Sequence, residues 1–240
     1  MLAKQELVVC GLPLLDRVFA RLGPVDCRLL AAEGQSVRAG EVVATVEGHA
    51  RTLLAGERLA LNLLQHLCGI ATLTRRYVER LAGTGLVVRD TRKTLPGMRI
   101  LAKYAVSIGG ASNHRLGLDD AILVKDNHLT LGGGDFDSAV RASRVLHPEL
   151  PLEVECRTLA EVERALAAVP DLILLDNMSL ADMTAAVRLV AGRVPLEASG
   201  GITLEQLPAV AATGVRYVAI GALTHSAPAA DLSLKLEPAG

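Results

Sequence analysis

From Leu86 onward the chain alternates short, nearly all-apolar runs with stretches of helical period, and this alternation constrains the fold more than any other feature. Strand candidates start near residues 86, 121, 152, 172, 196 and 217. Helical periodicity fills the intervals at 96–107, 136–146, 159–168, 180–191 and 204–213. Strands apolar on both faces are covered on both sides, and parallel strands need crossover helices between them. The pattern predicts an α/β fold, an incomplete β/α barrel of about six to seven parallel strands. Residues 232–236 are expected to be a closing strand or an edge helix.

The chain ahead of this repeat reads differently, which predicts a small α+β sandwich domain over 1–84 and a β/α-barrel catalytic domain over 85–240. Strands are expected at 7–10, 26–30 and 41–46, with a helical piece at 12–21. The spacing of Gly34, Val37, Gly40 and Val43 resembles the hairpin of biotin- and lipoyl-carrier domains. No attachment lysine turn follows it, so a structural β-meander is the better reading. Leu59, Leu63, Leu67 and Ile70, continued by Leu73, Tyr77 and Leu81, have helical spacing. They predict two helices, or one interrupted near Cys68 and Gly69.

Composition excludes several functions. A net charge of −1 provides no global field toward nucleic acid or acidic membranes, and with 2% aromatic residues and no Trp there are few stacking platforms for single strands. Cys10, Cys27, Cys68 and Cys156 form no close pair, as expected of reduced, buried thiols. The N-terminal apolar run contains Glu6 and is too short for a secretory signal, and no run approaches membrane-spanning length. These features predict a cytoplasmic protein.

Polar groups fall where the predicted strands end, which is where a β/α barrel presents its reacting groups. Arg92, Lys93, His114, Arg115 and Lys125 supply cations in the first half. Arg92 and Arg115 suit bidentate capture of planar carboxylates, and five such groups exceed what one carboxylate needs. Glu155 and Asp176 follow in the second half, suited to sugar hydroxyls held directly or through Mg²⁺. Asp176 has a competing reading as a helix N-cap or salt-bridge partner. Ser199, Gly200 and Gly201, then Gly221, Ala222 and His225, offer backbone N–H groups and a cation to a terminal phosphate. A phosphorylated sugar with an anionic leaving group, plus a planar acid, satisfies all three sets.

Read in order, DTRKT-x-PG, KYAV-x(2)-GG-x(2)-NHR-x-GL-x-D, KDNH, LLDNM and EASGGI resemble the quinolinate phosphoribosyltransferase family over nearly the whole chain. The resemblance implies transfer of phosphoribosyl from phosphoribosyl pyrophosphate to quinolinate with decarboxylation, using Mg²⁺, in NAD synthesis. It implies that Arg92, His114, Arg115 and Lys125 hold the quinolinate carboxylates or neighbouring pyrophosphate, with Lys93 in the same wall. Glu155 and Asp176 would bind ribose hydroxyls and metal, and Ser199, Gly200, Gly221 and His225 the 5′-phosphate. Lys93, Lys125, Glu155 and Asp176 are the expected catalytic group. Arg58 would reach a neighbouring subunit's site across a homodimer.

Family members usually begin some tens of residues earlier, so a short form, a truncation or a misplaced start are the alternatives at the N-terminus. Three rivals share parts of the pattern. A molybdenum-transport-associated paralogue lacks the intact KDNH of Lys125 to His128. A nicotinate phosphoribosyltransferase acts without decarboxylation, and a small-ligand sensor would not need so many filled strand ends.

Overall fold

A computed structural model of the chain describes residues 1–125 and 136–238, so Asp126, Asn127 and His128 of the KDNH motif lie outside the described residues. Two compact units are present, each discontinuous in sequence. The first comprises Met1–Arg76, Thr94–Ala111 and Ala222–Gly240, and the second Tyr77–Lys93 and Ser112–Gly221. Elements are numbered in chain order.

In the first unit β1 (Leu2–Ala3) pairs antiparallel with β12 (Leu232–Ser233), β2 (Leu7–Val8) with β4 (Ser36–Val37), and β3 (Val25–Leu29) with β5 (Ala44–Gly48). The expected meander of consecutive strands is therefore replaced by interleaved pairs. Helix α1 (Leu14–Phe19) stands between β2 and β3, and Gly34, at φ +81°, turns the chain so that its N–H donates to Val9 O at 2.8 Å. The left-handed conformation at that turn is one glycine adopts without steric cost. The terminal run is a strand, but its partner is β1 and not the parallel sheet.

Helix α2 (Ala50–Arg80) runs 31 residues without a break. Gly69 was expected to interrupt it; instead the glycine admits a neighbouring backbone, because a Cβ there would lie 2.1 Å from Pro228 O. The buried stripe is Ala60, Leu61, Leu64, Leu67, Cys68 and Ala71, whereas Leu59, expected to face inward, is 55% exposed. Helix α3 (Arg99–Gly109) starts after the turn at Gly97, φ +74°, and ends on left-handed Gly110.

The second unit holds one six-stranded parallel sheet. Its strands are β6 (Val87–Arg89), β7 (Ile122–Val124), β8 (Leu152–Cys156), β9 (Leu172–Asp176), β10 (Leu196–Ser199) and β11 (Tyr217–Ala219). They lie in the order β6-β11-β10-β9-β8-β7. Crossovers include α4 (Phe136–Leu146), α5 (Leu159–Ala167), α6 (Leu180–Val190) and α7 (Leu207–Ala212). Leu172 to Leu175 are all buried, as expected for a strand covered on both faces. Among the described residues β6 and β7 are not paired with each other, so the barrel is open. Ser112 makes an isolated parallel bridge to Arg89 on the free edge of β6, where a seventh strand would run.

Candidate active site

The C-terminal strand ends of the second unit surround a cavity of about 440 Å³. Arg92, Lys93, His114, Arg115, Lys125, Glu155, Asp176 and Ser199, all expected there, line it together. Residues following both edge strands contribute, so the open sheet curls around this space. Thr91 and Asn177, strand-end neighbours of that set, also line it, and so does Arg157, which was not anticipated.

The cationic wall is held by backbone. Arg115 Nη1 donates to Ala121 O at 2.7 Å, and its backbone N–H donates to His114 Nδ1 at 2.8 Å. The Nε atoms of Arg92 and Arg115 are buried and meet no acceptor among the described residues. Burial, and then the neighbouring Arg92 charge, lower the pKa of Arg115. Two close guanidinium groups with unspent donors favour an anionic, planar ligand.

The acidic wall faces resident cations. Lys125 Nζ is 3.5 Å from Glu155 Oε2, and Arg157 reaches Asp176 Oδ2 at 3.4 Å and Glu155 Oε1 at 3.9 Å. Burial raises the Glu155 pKa and Asp176 adds to the effect, while Lys125 opposes it. Ser179, not Asp176, caps α6, its hydroxyl accepting from Asp182 N–H at 3.1 Å. That removes the N-cap alternative for Asp176 and leaves its carboxylate to Arg157 and the cavity. Thr158 and Glu161 form a capping box on α5, and Glu161 also accepts the Arg157 backbone N–H at 2.6 Å. The signal for Arg157 was its place directly after Cys156, the last residue of β8.

Ser199 pairs in register with Asp176. Gly200, at φ +109°, has no room for a side chain, since a Cβ would meet Asn177 Oδ1 at 2.2 Å and Asn177 N at 2.9 Å. Gly201 follows at φ +59°, and Gly221 ends the loop after β11. Arg58, Ala222 and His225 belong to the first unit. Arg58 is exposed on α2, while Ala222 and His225 bound the short α8 (Ala222–His225), with His225 Nδ1 2.5 Å from Ser226 Oγ.

Behind the cavity wall lies a buried charged layer. Arg89, Glu197 and Glu153 come from alternate strands of the sheet, which is how barrel interiors build one layer. Arg89 Nη1 donates to Glu197 Oε2 at 2.5 Å, and His114 Nε2 lies 2.8 Å from Glu153 Oε2 and 3.9 Å from Glu197 Oε1. Burial, then the nearby Glu153 charge, push Glu197 up to about 7, against the pull of Arg89 and His114. The folded state therefore binds this proton more tightly than the unfolded chain, whose carboxyl titrates near 4.5. The resulting stability is present below that value and is lost as pH rises to about 7. Thermal melts across this window should show the native protein losing about 1–3 kcal/mol relative to Glu197→Gln. A pH-independent difference between the two would contradict a proton held there.

The model of the quinolinate phosphoribosyl transferase N-terminal domain matches residues 1–68, and that of the C-terminal domain residues 70–235. A Mycobacterium leprae protein named nicotinate-nucleotide pyrophosphorylase [carboxylating] is 45% identical over 245 residues, covering 98% of this chain and 85% of the relative. Among solved structures, NadC from Streptococcus pyogenes superposes with a TM-score of 0.92 at 42% identity, over 98% of this chain and 83% of that one. The nicotinate-nucleotide pyrophosphorylase of Ehrlichia chaffeensis gives 0.94 at 37% identity, over 98% and 86%.

Proposed function

This chain belongs to the quinolinate phosphoribosyltransferase family, and on that premise we infer how its cavity carries out the reaction. The chain is a phosphoribosyltransferase that converts quinolinate and phosphoribosyl pyrophosphate to nicotinate mononucleotide, pyrophosphate and CO₂. The observation that carries this assignment to the cavity is the half-buried Arg92–Arg115 pair, whose buried Nε donors are unspent, lining the same space as the Glu155 and Asp176 carboxylates.

The pyridine nitrogen attacks the anomeric carbon of the sugar, and the bond to pyrophosphate breaks with its electron pair on oxygen. Lys93 and Lys125, in the same wall, stabilise the negative charge that develops there. Arg92 and Arg115 orient the two ring carboxylates, which places the nitrogen for in-line attack. Loss of CO₂ then leaves an electron pair on the ring carbon next to the pyridinium nitrogen, and a proton takes its place. Glu155 and Asp176 hold the ribose hydroxyls. Their all-oxygen donor set, at adjacent strand ends, also suits Mg²⁺, which would supply further charge neutralisation for the departing pyrophosphate. Ser199, Gly200, Gly201 and Gly221 cradle the 5′-phosphate.

Arg58 has the same position in this reading as the resemblance implied, contributing to the site of a second copy. Its exposure on α2 leaves its side chain accessible to a second copy, and Leu54, one turn before it, is 59% exposed on the same side of the helix. No helix among the described residues is long and apolar enough to cross a membrane, and the reading places the enzyme in the cytoplasm.

The test is to mix the protein with Mg²⁺, phosphoribosyl pyrophosphate and either quinolinate or nicotinate, and to follow nucleotide and CO₂. Quinolinate turnover with stoichiometric CO₂ is expected. Nicotinate turnover without CO₂ would replace the decarboxylating assignment. Size-exclusion of the active fraction reads out assembly, and activity confined to a monomer peak removes Arg58 from the site.

A further inference from the structure

His114 lines the cavity, yet both ring nitrogens are already engaged by protein. Nδ1 accepts the Arg115 N–H at 2.8 Å, and a backbone N–H can only donate, so Nδ1 bears the lone pair. The ring proton is therefore on Nε2, which faces Glu153 Oε2 at 2.8 Å. Asp90, fully buried, fixes the other side of the residue by accepting the His114 N–H at 2.7 Å.

By distance alone His114, Glu153 and Glu197 are a candidate metal trio, with one ligand atom from each within 4.8 Å of the others. Two features oppose that reading. A metal on Nε2 would drive the ring proton to Nδ1, against the Arg115 N–H. Glu197 also already receives the Arg89 guanidinium. The cluster is built to accept a hydrogen bond from imidazole, as carboxylates that orient histidines do elsewhere.

We propose that Glu153, beside the Glu197–Arg89 pair, is a positioning residue that, together with the Arg115 N–H on Nδ1, holds His114 as the Nε2–H tautomer and through it the placement of Arg115 in the acceptor pocket. This rests on the phosphoribosyltransferase reading for its substrate, but not for its geometry. His114 then serves as a strut between the buried layer and the guanidinium wall, and Arg115 is the group that touches the planar dicarboxylate. The connection is short: Glu153 Oε2 to His114 Nε2, then His114 Nδ1 to Arg115 N, with Nη1 tied to Ala121 O. Because Arg115 binds the acceptor before and during transfer, misplacing it weakens ground state and transition state alike. The Michaelis constant for the acceptor then rises, and turnover falls to the extent that in-line placement of the nitrogen depends on Arg115.

The test pairs spectroscopy with kinetics. Long-range ¹H–¹⁵N correlation of histidine-labelled protein at neutral pH, with His114 assigned by its loss in His114→Asn, reads the tautomer directly. The native ring should show a protonated Nε2 and an unprotonated Nδ1. Glu153→Ala should lose that single pattern and raise the acceptor Michaelis constant about tenfold or more, with that for phosphoribosyl pyrophosphate nearly unchanged. Glu153→Gln keeps a carbonyl oxygen for Nε2–H and should restore both readouts. If Glu153→Ala does not fold, Glu153→Asp withdraws the carboxylate by one methylene and gives the same comparison. Retention of the native tautomer and acceptor constant in a folded Ala or Asp variant overturns the proposal, as does an equal rise for both substrates. A native protein with the predicted tautomer and no quinolinate turnover would instead sink the functional reading alone.

Discussion

Lys125→Ala should lower kcat/KM for quinolinate by about two to three orders of magnitude while the protein still folds. Lys125 Nζ stands 3.5 Å from Glu155 Oε2, and its side chain is 42% exposed, so its loss opens no buried cavity. Two effects on the site add together. The cavity loses a positive charge where pyrophosphate departs, in a partly enclosed space where fixed charges act more strongly than in water. Glu155 also loses the neighbour that most lowers its pKa, leaving burial and Asp176 to raise it further. The carboxylate that holds the ribose hydroxyls is then less well stabilised in its charged form. Lys125→Arg keeps the charge but spreads it over a planar fork, so partial recovery is expected. Steady-state kinetics beside a thermal melt check this. A folded Lys125→Ala within threefold of native activity would show that the cation wall is misassigned.

Much of this site is legible in sequence because barrel strands are short and apolar, so the polar residue that ends each one stands out. Arg92, Lys125, Glu155 and Asp176 are all placed by that rule, and the structure gathers them in one cavity. What the rule misses depends on partners far along the chain. The role of His114 is set by Glu153, on a strand near forty residues later, and by Glu197 beyond it. Composition cannot distinguish a histidine that meets a ligand from one that meets a buried carboxylate. Arg157 was missed for a different reason: residues after a strand end usually read as solvated loop, and here the capping box of α5 takes its backbone N–H while its side chain reaches Asp176 in the cavity.

The fold shows the same division. Parallel strands and their crossovers follow from local periodicity, and five of the expected helices lie close to their observed limits. The first unit does not, because its strands are two to five residues long and find partners two strands away. β1 even pairs with β12, at the opposite end of the chain. No local pattern encodes such pairings; they follow from which short segments meet once the helices have packed.

Gly69→Ala should destabilise the protein by about 2–4 kcal/mol, although the same change in an exposed helix stabilises by roughly 1 kcal/mol. A methyl at this position would sit 2.1 Å from Pro228 O, 3.1 Å from Pro228 C and 3.2 Å from Ala229 Cα, all backbone atoms that cannot rotate away. The segment is also pinned to α2 on either side of the contact. Ala230 N–H donates to Gln65 O at 2.8 Å, and Gln65 Nε2 donates to Leu232 O at 2.9 Å. To admit the methyl, the helix and this segment must separate, which stretches both hydrogen bonds and pulls on the β12–β1 pair. The cost is therefore shared by three interactions and should appear as a melting point lower by about 4–16 °C. Asn62→Ala, at an exposed position of the same helix, is the control and should change stability by less than about 0.5 kcal/mol. If Gly69→Ala melts at or above the native temperature, the Pro228 backbone yields to a methyl, and close approach does not explain a glycine in the middle of α2.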